Sequence, residues 1–249
     1  MGLRAWLFGR GEPPVVTEAD WRDALSLPLF ARLEADDRSR LRALAERLIR
    51  EKTFSGAAGA EINGAVCSTI AVQAVLPVLN LDLESYGLWQ EIIVYPAEFV
   101  PEREEMDEAG VVHHVRHPMS GEAWEGGPLV LSLEDVRWSG LCDGYNVVIH
   151  EFAHKLDMGN GAVDGLPRLH SGLRAEEWAA AFAPAYEDFC RRVDANEDTV
   201  LDPYAAESPA EFFAVLTEYF FELPQALHQA YPAVYEQMQR YYRQHPLAR

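Results

Sequence analysis

An α+β fold, mainly helical around a small central mixed sheet, is the architecture that this sequence of 249 residues predicts. Three observations carry the prediction. Apolar residues recur at helical spacing in segments toward both ends of the chain. Segments rich in β-branched and aromatic residues gather in the middle, and the two kinds do not alternate as a βαβ series would. There is no internal repeat and no low-complexity tract.

After a Pro- and Gly-rich lead-in, Asp36 to Lys52 sets Leu41, Leu44, Leu48 and Ile49 on one face and charges elsewhere, which predicts an amphipathic helix. Cys67 to Leu79 is apolar on nearly every side and predicts a buried helix packed against the first. WQEIIVYPAEF reads as a strand stopped by Pro96, and GVVHHVRHP as another. GEAWEGGP has turn composition. In Leu129 to Val136, LVLSLEDV, the alternation of Val130, Ser132 and Glu134 with Leu129, Leu131 and Leu133 predicts a half-exposed strand. Val147 to Met158 predicts a helix that Asn146 or Asp143 caps and Gly159 or Gly161 ends. Three further helices are read in RAEEWAAAFAPAYEDFCRRV, SPAEFFAVLTEYFFE and PAVYEQMQRYYRQ.

Composition narrows the function. Forty acidic against 21 basic residues give a formal charge of −19, which repels phosphate backbones, argues against direct nucleic-acid binding and favours a basic peptide or protein partner. Cys67, Cys142 and Cys190 are odd in number and widely spaced, so neither a disulfide framework nor a thiolate zinc site is expected, and a reducing compartment fits. The amino terminus carries no secretory pattern, and Trp6 stands where myristoylation of Gly2 would want Ser or Thr. CSTIAVQAVLPVLNL is interrupted by Gln73 and Pro77 and is too short to span a bilayer, so a cytoplasmic protein without membrane association is expected.

The chemistry concentrates in VVIHEFAHKLD, Val147 to Asp157. Four residues advance about 400° around a helix, so His150 and His154 project from one face, one turn apart, where two imidazoles can close on a single ion. Glu151 lies about 100° round from His150, badly placed as a ligand but able to serve a water beside the ion as a base. The rival reading is a surface helix that happens to carry histidines. A catalytic zinc takes three protein ligands. A third histidine two turns on is excluded, because Asp157 and Asn160 stand where that pattern needs Gly and His.

Carboxylates remain: Glu176 and Glu177 at thermolysin-like spacing, or Glu211 and Glu218 farther on. Glu211 is preferred, because its helix is apolar nearly all round and a buried carboxylate needs a cation or strong donors. Ser208, Pro209 and Glu211 also fit a capping box that needs no metal. Glu218, two turns on, cannot share an ion with Glu211 and is expected to pair with a basic residue or to support a ligand. Asp157 either accepts the free N–H of a ligating imidazole or sits in a surface ion pair. His113, His114, His117, His170, His228 and His245 have no spacing that makes a second metal site.

With VVIHEFAHKLD, GEAWEGGPLVLSLEDV and SPAEFFAVLTEYFFE in this order, the chain resembles the Mlc titration factor A family of bacterial zinc metallopeptidases over nearly its whole length. The resemblance implies a zincin-like core similar to the anthrax lethal factor peptidase domain. It implies residues 1–249 as a single metallopeptidase domain, with a helical part to about residue 85 and a zinc-binding catalytic core from about residue 86. It further implies one Zn2+ per chain on His150, His154 and Glu211, Glu151 as general base, and Tyr204 near the metal. The implied activity is aminopeptidase-like hydrolysis of small peptides, together with binding of a glucose-responsive transcriptional repressor, Mlc. No short motif carries a repressor contact.

On this reading Glu151 activates a water for attack, Tyr204 donates to the developing oxyanion, and Leu129 to Glu134 binds the substrate backbone as an added strand. The alternative is a non-catalytic protein that sequesters a repressor, its zinc structural or vestigial.

Overall fold

The computed structural model describes residues 14–99, 103–106, 112–115, 119–124 and 126–248. The readings made at Gly2 and Trp6 lie outside them. The chain enters through α1 (Glu18–Ala24), opened by a reciprocal capping box between Thr17 and Asp20, and buries Trp21 against α3 (Gly64–Val75). Between them α2 (Ala35–Glu51) turns Leu41, Ala45, Leu48 and Ile49 inward onto the same helix, with Leu44 packed at the margin. Asn63 caps α3 through the Val66 N–H. The helix stops ahead of Pro77, while Leu76, Val78 and Leu79 stay buried beyond it.

The central sheet has four strands in the order β1 (Thr53–Gly56), β2 (Glu91–Tyr95), β6 (Leu129–Ser132) and β5 (Gly121–Ala123). β1 and β6 run parallel to β2, and β5 runs antiparallel to β6, so the sheet is mixed. In β2 the inward residues are Ile92 and Val94, and the strand ends ahead of Pro96. β3 (Arg103–Met106) and β4 (Val112–Val115) form a separate antiparallel pair.

Two expectations about the middle of the chain are corrected. LVLSLEDV is not one half-exposed strand: β6 is four residues long and buried at each of them, because it lies between two strands. Ser132 then accepts the Asp135 N–H and caps α4 (Leu133–Trp138), so the apparent alternation spans a strand-to-helix junction. GEAWEGGP is not all turn. Its GEA is β5, the outer strand, and the turn is confined to the residues that follow.

Behind the sheet, α5 (Val147–Asp157) packs along α7 (Pro209–Glu222), with Val148, Ile149, Phe152, Ala153, Phe213, Leu216 and Phe220 fully buried. α6 (Ala175–Asp194), α8 (Pro224–Ala230) and α9 (Pro232–Tyr242) close the far side, where Trp178 stacks on Phe182 and meets Tyr241 edge-on. No helix of the described residues is long and apolar enough to cross a membrane. The three cysteines are free thiols, Cys67 buried and the other two half-buried.

Candidate metal centre

Asn146 starts α5 in extended backbone, its side-chain oxygen accepting the Ile149 N–H at 2.9 Å. The helix runs through both histidines and passes into a short 3-10 turn that ends at Gly161, φ +90°, one of the two glycines expected to stop it. The imidazoles of His150 and His154 therefore share a face, with Nε2 atoms 3.2 Å apart. On the neighbouring helix, Ser208 accepts the Glu211 N–H at 3.1 Å and Pro209 occupies the first turn. The cap uses Glu211's backbone and leaves its carboxylate for other work. Glu211 Oε2 lies 3.0 Å from His150 Nε2 and 3.4 Å from His154 Nε2.

Among the described residues, His150, His154 and Glu211 form the group whose ligand atoms converge within 4.8 Å of one another. A tetrahedral ion with ligands at about 2.05 Å spaces its donors about 3.3 Å apart, which the observed separations bracket. Two imidazoles and one carboxylate are a donor set suited to zinc. Burial works to raise the Glu211 carboxyl, but the His150 and His154 hydrogen bonds outweigh it and hold it well below the usual range. The residues fit a divalent cation.

Glu151 is 4 % exposed, and its Oε2 has no hydrogen-bond partner among the described residues. Burial raises its pKa against the pull of His150 and His154. Gly121 of β5 is set so close that a Cβ there would stand 2.4 Å from Glu151 Oε1, so the outer strand reaches the candidate base only as glycine.

Glu218 meets the imidazole of His150, one of the candidate ligands. His150 Nδ1 donates to Glu218 Oε1 at 2.8 Å, and Glu218 Oε2 accepts the Asn146 N–H. Burial raises Glu218, and the His150 bond works in the other direction. Asn146 Nδ2 in turn donates to Gln73 Oε1 and Glu222 Oε1, both at 2.8 Å, which ties α3 and α7 to the start of α5. Sequence reasoning allowed for Glu218 and for the Asn146 cap but missed Gln73 and Glu222. The seven-residue spacing of Glu211 and Glu218 puts both carboxylates on the face toward His150, and Glu222 follows one turn after Glu218.

The other expected residues fall as follows. Glu176 and Glu177 are not brought to the site: Glu176 is exposed, and Glu177 pairs with Arg174 and Arg240. Asp157 takes neither predicted role. It is fully buried, its Oδ2 accepts the Gly165 N–H at 2.9 Å, its Oδ1 has no partner among the described residues, and burial pushes it up to about 6. Tyr204 sits in the turn Pro203–Ala206, held there by Asp202, which accepts its N–H; its ring centroid is 6.0 Å from that of His150. His170, His228 and His245 lie against backbone carbonyls or Tyr235, away from the centre, while the side chains of His113, His114 and His117 lie outside the described residues.

A cavity of about 660 Å³ opens over these groups. One wall is the start of β5 with Asp143 to Tyr145, the other is the segment from Thr199 to Tyr204, and His150, Glu151 and Glu218 contribute to its lining.

A model of the family described as glucose-regulated metallo-peptidase M90 matches residues 10–243. The chain is 38% identical over 248 residues to a protein of Serratia proteamaculans named Mlc titration factor A, covering 98% of this chain and 94% of that one. It is 38% identical to a protein of the same name from Escherichia fergusonii, covering 98% and 93%, and 37% identical to one from Yersinia pestis, covering 98% and 91%.

Proposed function

The chain belongs to the glucose-regulated metallo-peptidase M90 family, and from this premise we propose that it is a zinc-dependent, aminopeptidase-like peptidase of the cytoplasm. In this reading His150, His154 and Glu211 hold the metal, Glu151 is the general base, Tyr204 assists, and the whole chain works as a single metallopeptidase domain. The observation that carries it is the convergence of three ligand atoms at 3.0 to 3.4 Å beside a buried carboxylate with an unpartnered oxygen.

The chemistry supplied by a bound zinc ion is Lewis acidity, which polarises the scissile carbonyl and lowers the pKa of a water molecule toward neutrality. Glu151, its proton affinity raised by burial, takes a proton from the attacking water and returns it to the leaving amine. The Tyr204 hydroxyl donates to the carbonyl oxygen as negative charge builds there. Glu218 keeps the His150 ring in one tautomer and one orientation. The substrate backbone is added at β5, whose outer edge carries no further strand among the described residues. The expectation that Leu129 to Glu134 would do this fails, because β6 is already paired on both sides.

Relatives are named Mlc titration factor A, and binding of an Mlc-type repressor is extended to this chain on that ground, supported by an acidic charge suited to a basic partner rather than to nucleic acid. The second reading makes that binding the whole function, with a structural or vestigial zinc. Glu151→Gln separates the two. Loss of peptide hydrolysis with zinc retained supports the enzyme, and hydrolysis that persists overturns the proposed base. Undetectable wild-type turnover together with tight repressor binding favours sequestration.

A further inference from the structure

The helix that carries the two histidines also holds the outer strand, through a residue that the chemistry above does not use. Glu151 and Lys155 are one turn apart, so they share a face of α5, and that face lies against β5. At one end Gly121, the first residue of β5, abuts Glu151. At the other, Lys155 Nζ donates to the carbonyl oxygens of Trp124 at 2.6 Å and Gly127 at 3.0 Å, the two corners of the turn between β5 and β6. That turn is closed by its own bonds, Trp124 N–H to the Pro128 carbonyl and Gly127 N–H to the Trp124 carbonyl.

Lys155 is 3 % exposed, and its ammonium also lies 5.1 Å from the centroid of the Trp89 indole. A buried ammonium is costly unless its donors are met. Here two of its three donors are met by backbone carbonyls of one hairpin turn, and the Trp89 indole lies beside the ammonium, so the charge is tied to the turn. The three-residue outer strand is held along its length by the ladder with β6 and ahead of its first residue by the Phe99–Met119 bridge, and at its turn end by this lysine.

We propose that Lys155 is a positioning residue that pins the β5–β6 turn to the metal-bearing helix and so sets the register in which an extended peptide, paired on the edge of β5, presents its scissile bond to Glu151. The proposal rests on the peptidase reading for its substrate, while the clamp itself is a property of the fold. It assigns to Lys155 a selective effect: substrates long enough to pair with β5 depend on it, and a single amino acid joined to an arylamine does not.

The test compares the zinc-loaded wild type with Lys155→Met, which keeps the stem and removes the donors, and Lys155→Arg, which keeps charge and donors. Hydrogen exchange over residues 119–132 is measured beside kinetics on a tetrapeptide and on an aminoacyl arylamide. Expected for Lys155→Met is exchange at least tenfold faster in that hairpin and unchanged in α5 and α7, with zinc per chain unaltered. KM for the tetrapeptide should rise about tenfold with kcat within twofold, the arylamide should be unaffected, and Lys155→Arg should restore most of the loss. Hairpin exchange that does not change, or loosening that spreads through α5 with loss of zinc, overturns the clamp. If the wild type hydrolyses neither substrate, the peptidase reading fails, and the exchange measurement still decides whether Lys155 holds the hairpin.

Discussion

Glu211 and Glu218 stand on one face of α7 and address the two nitrogens of a single imidazole, one at Nε2 and one at Nδ1. An outer carboxylate that fixes the ring of a ligating histidine is typically worth 10- to 100-fold in metal affinity. Glu218→Ala is therefore expected to weaken zinc binding by about that factor, read by competition with a chromogenic chelator, while Glu211→Ala should abolish stoichiometric binding. Gly121→Ala addresses the neighbouring carboxylate. Its methyl group would have to displace Glu151, so hydrolysis should fall at least tenfold with zinc content unchanged, and a variant of normal activity would show that the strand yields instead. Residues placed by local periodicity were legible in the sequence: His150, Glu151 and His154 follow from the helix alone. Asp157 was misread because its environment comes from elsewhere, the loop that folds back to present the Gly165 N–H and bury it.

At the scale of elements, the buried bonds of Asn146 join three helices, since the residue caps α5, bonds Gln73 of α3 and meets both Glu218 and Glu222 of α7. Glu222 accepts the Gly140 N–H as well, and its second oxygen has no hydrogen-bond partner among the described residues. Burial pushes its carboxyl up to about 7. The folded protein then binds this proton more tightly than the unfolded chain, so the contribution of Glu222 is fully present below the ordinary carboxyl pKa and is lost as pH rises through about 7. Glu222→Gln imitates the protonated form, keeping an oxygen for Gly140 and Asn146. It should leave Tm unchanged near pH 4 and raise it at pH 8, and a variant whose Tm tracks the wild type at both values refutes the assignment. The α5 cap and the amphipathic α2 could be read from sequence because their signals are local. β5 could not, for Gly-Glu-Ala has no strand propensity and becomes a strand only because β6 offers an unpaired side. The exposed edge was consequently assigned to the wrong strand.

Over the whole molecule, composition gave the sign of the electrostatic field but not its focus. The formal charge of −19 is spread over the entire chain, whereas the cavity depends on α5, α7 and the segment from Thr199 to Tyr204 meeting, which no local pattern specifies. Once they meet, the lining contains Asp143 and Asp202 together with Glu151 and Glu218, and no lysine or arginine among the described residues. Of these, Asp143 and Asp202 stand in the walls apart from the candidate ligands, and carboxylates so placed raise the local concentration of cationic ligands. Peptides with an ammonium or guanidinium near the scissile bond should therefore be favoured over acidic peptides of equal length. The preference should weaken with ionic strength, because exposed charges are screened within about 10 Å at 0.1 M salt. Raising salt from 50 to 500 mM should lower kcat/KM for a cationic tripeptide by about three- to tenfold and leave a neutral one nearly unchanged. Asp202→Asn tests the source of the effect, because an asparagine oxygen can still accept the Tyr204 N–H and so preserve the turn. A reduced cationic preference with an unaltered rate on neutral peptides would place the selectivity at this wall of the cleft; an unaltered preference would assign it to the diffuse charge of the surface.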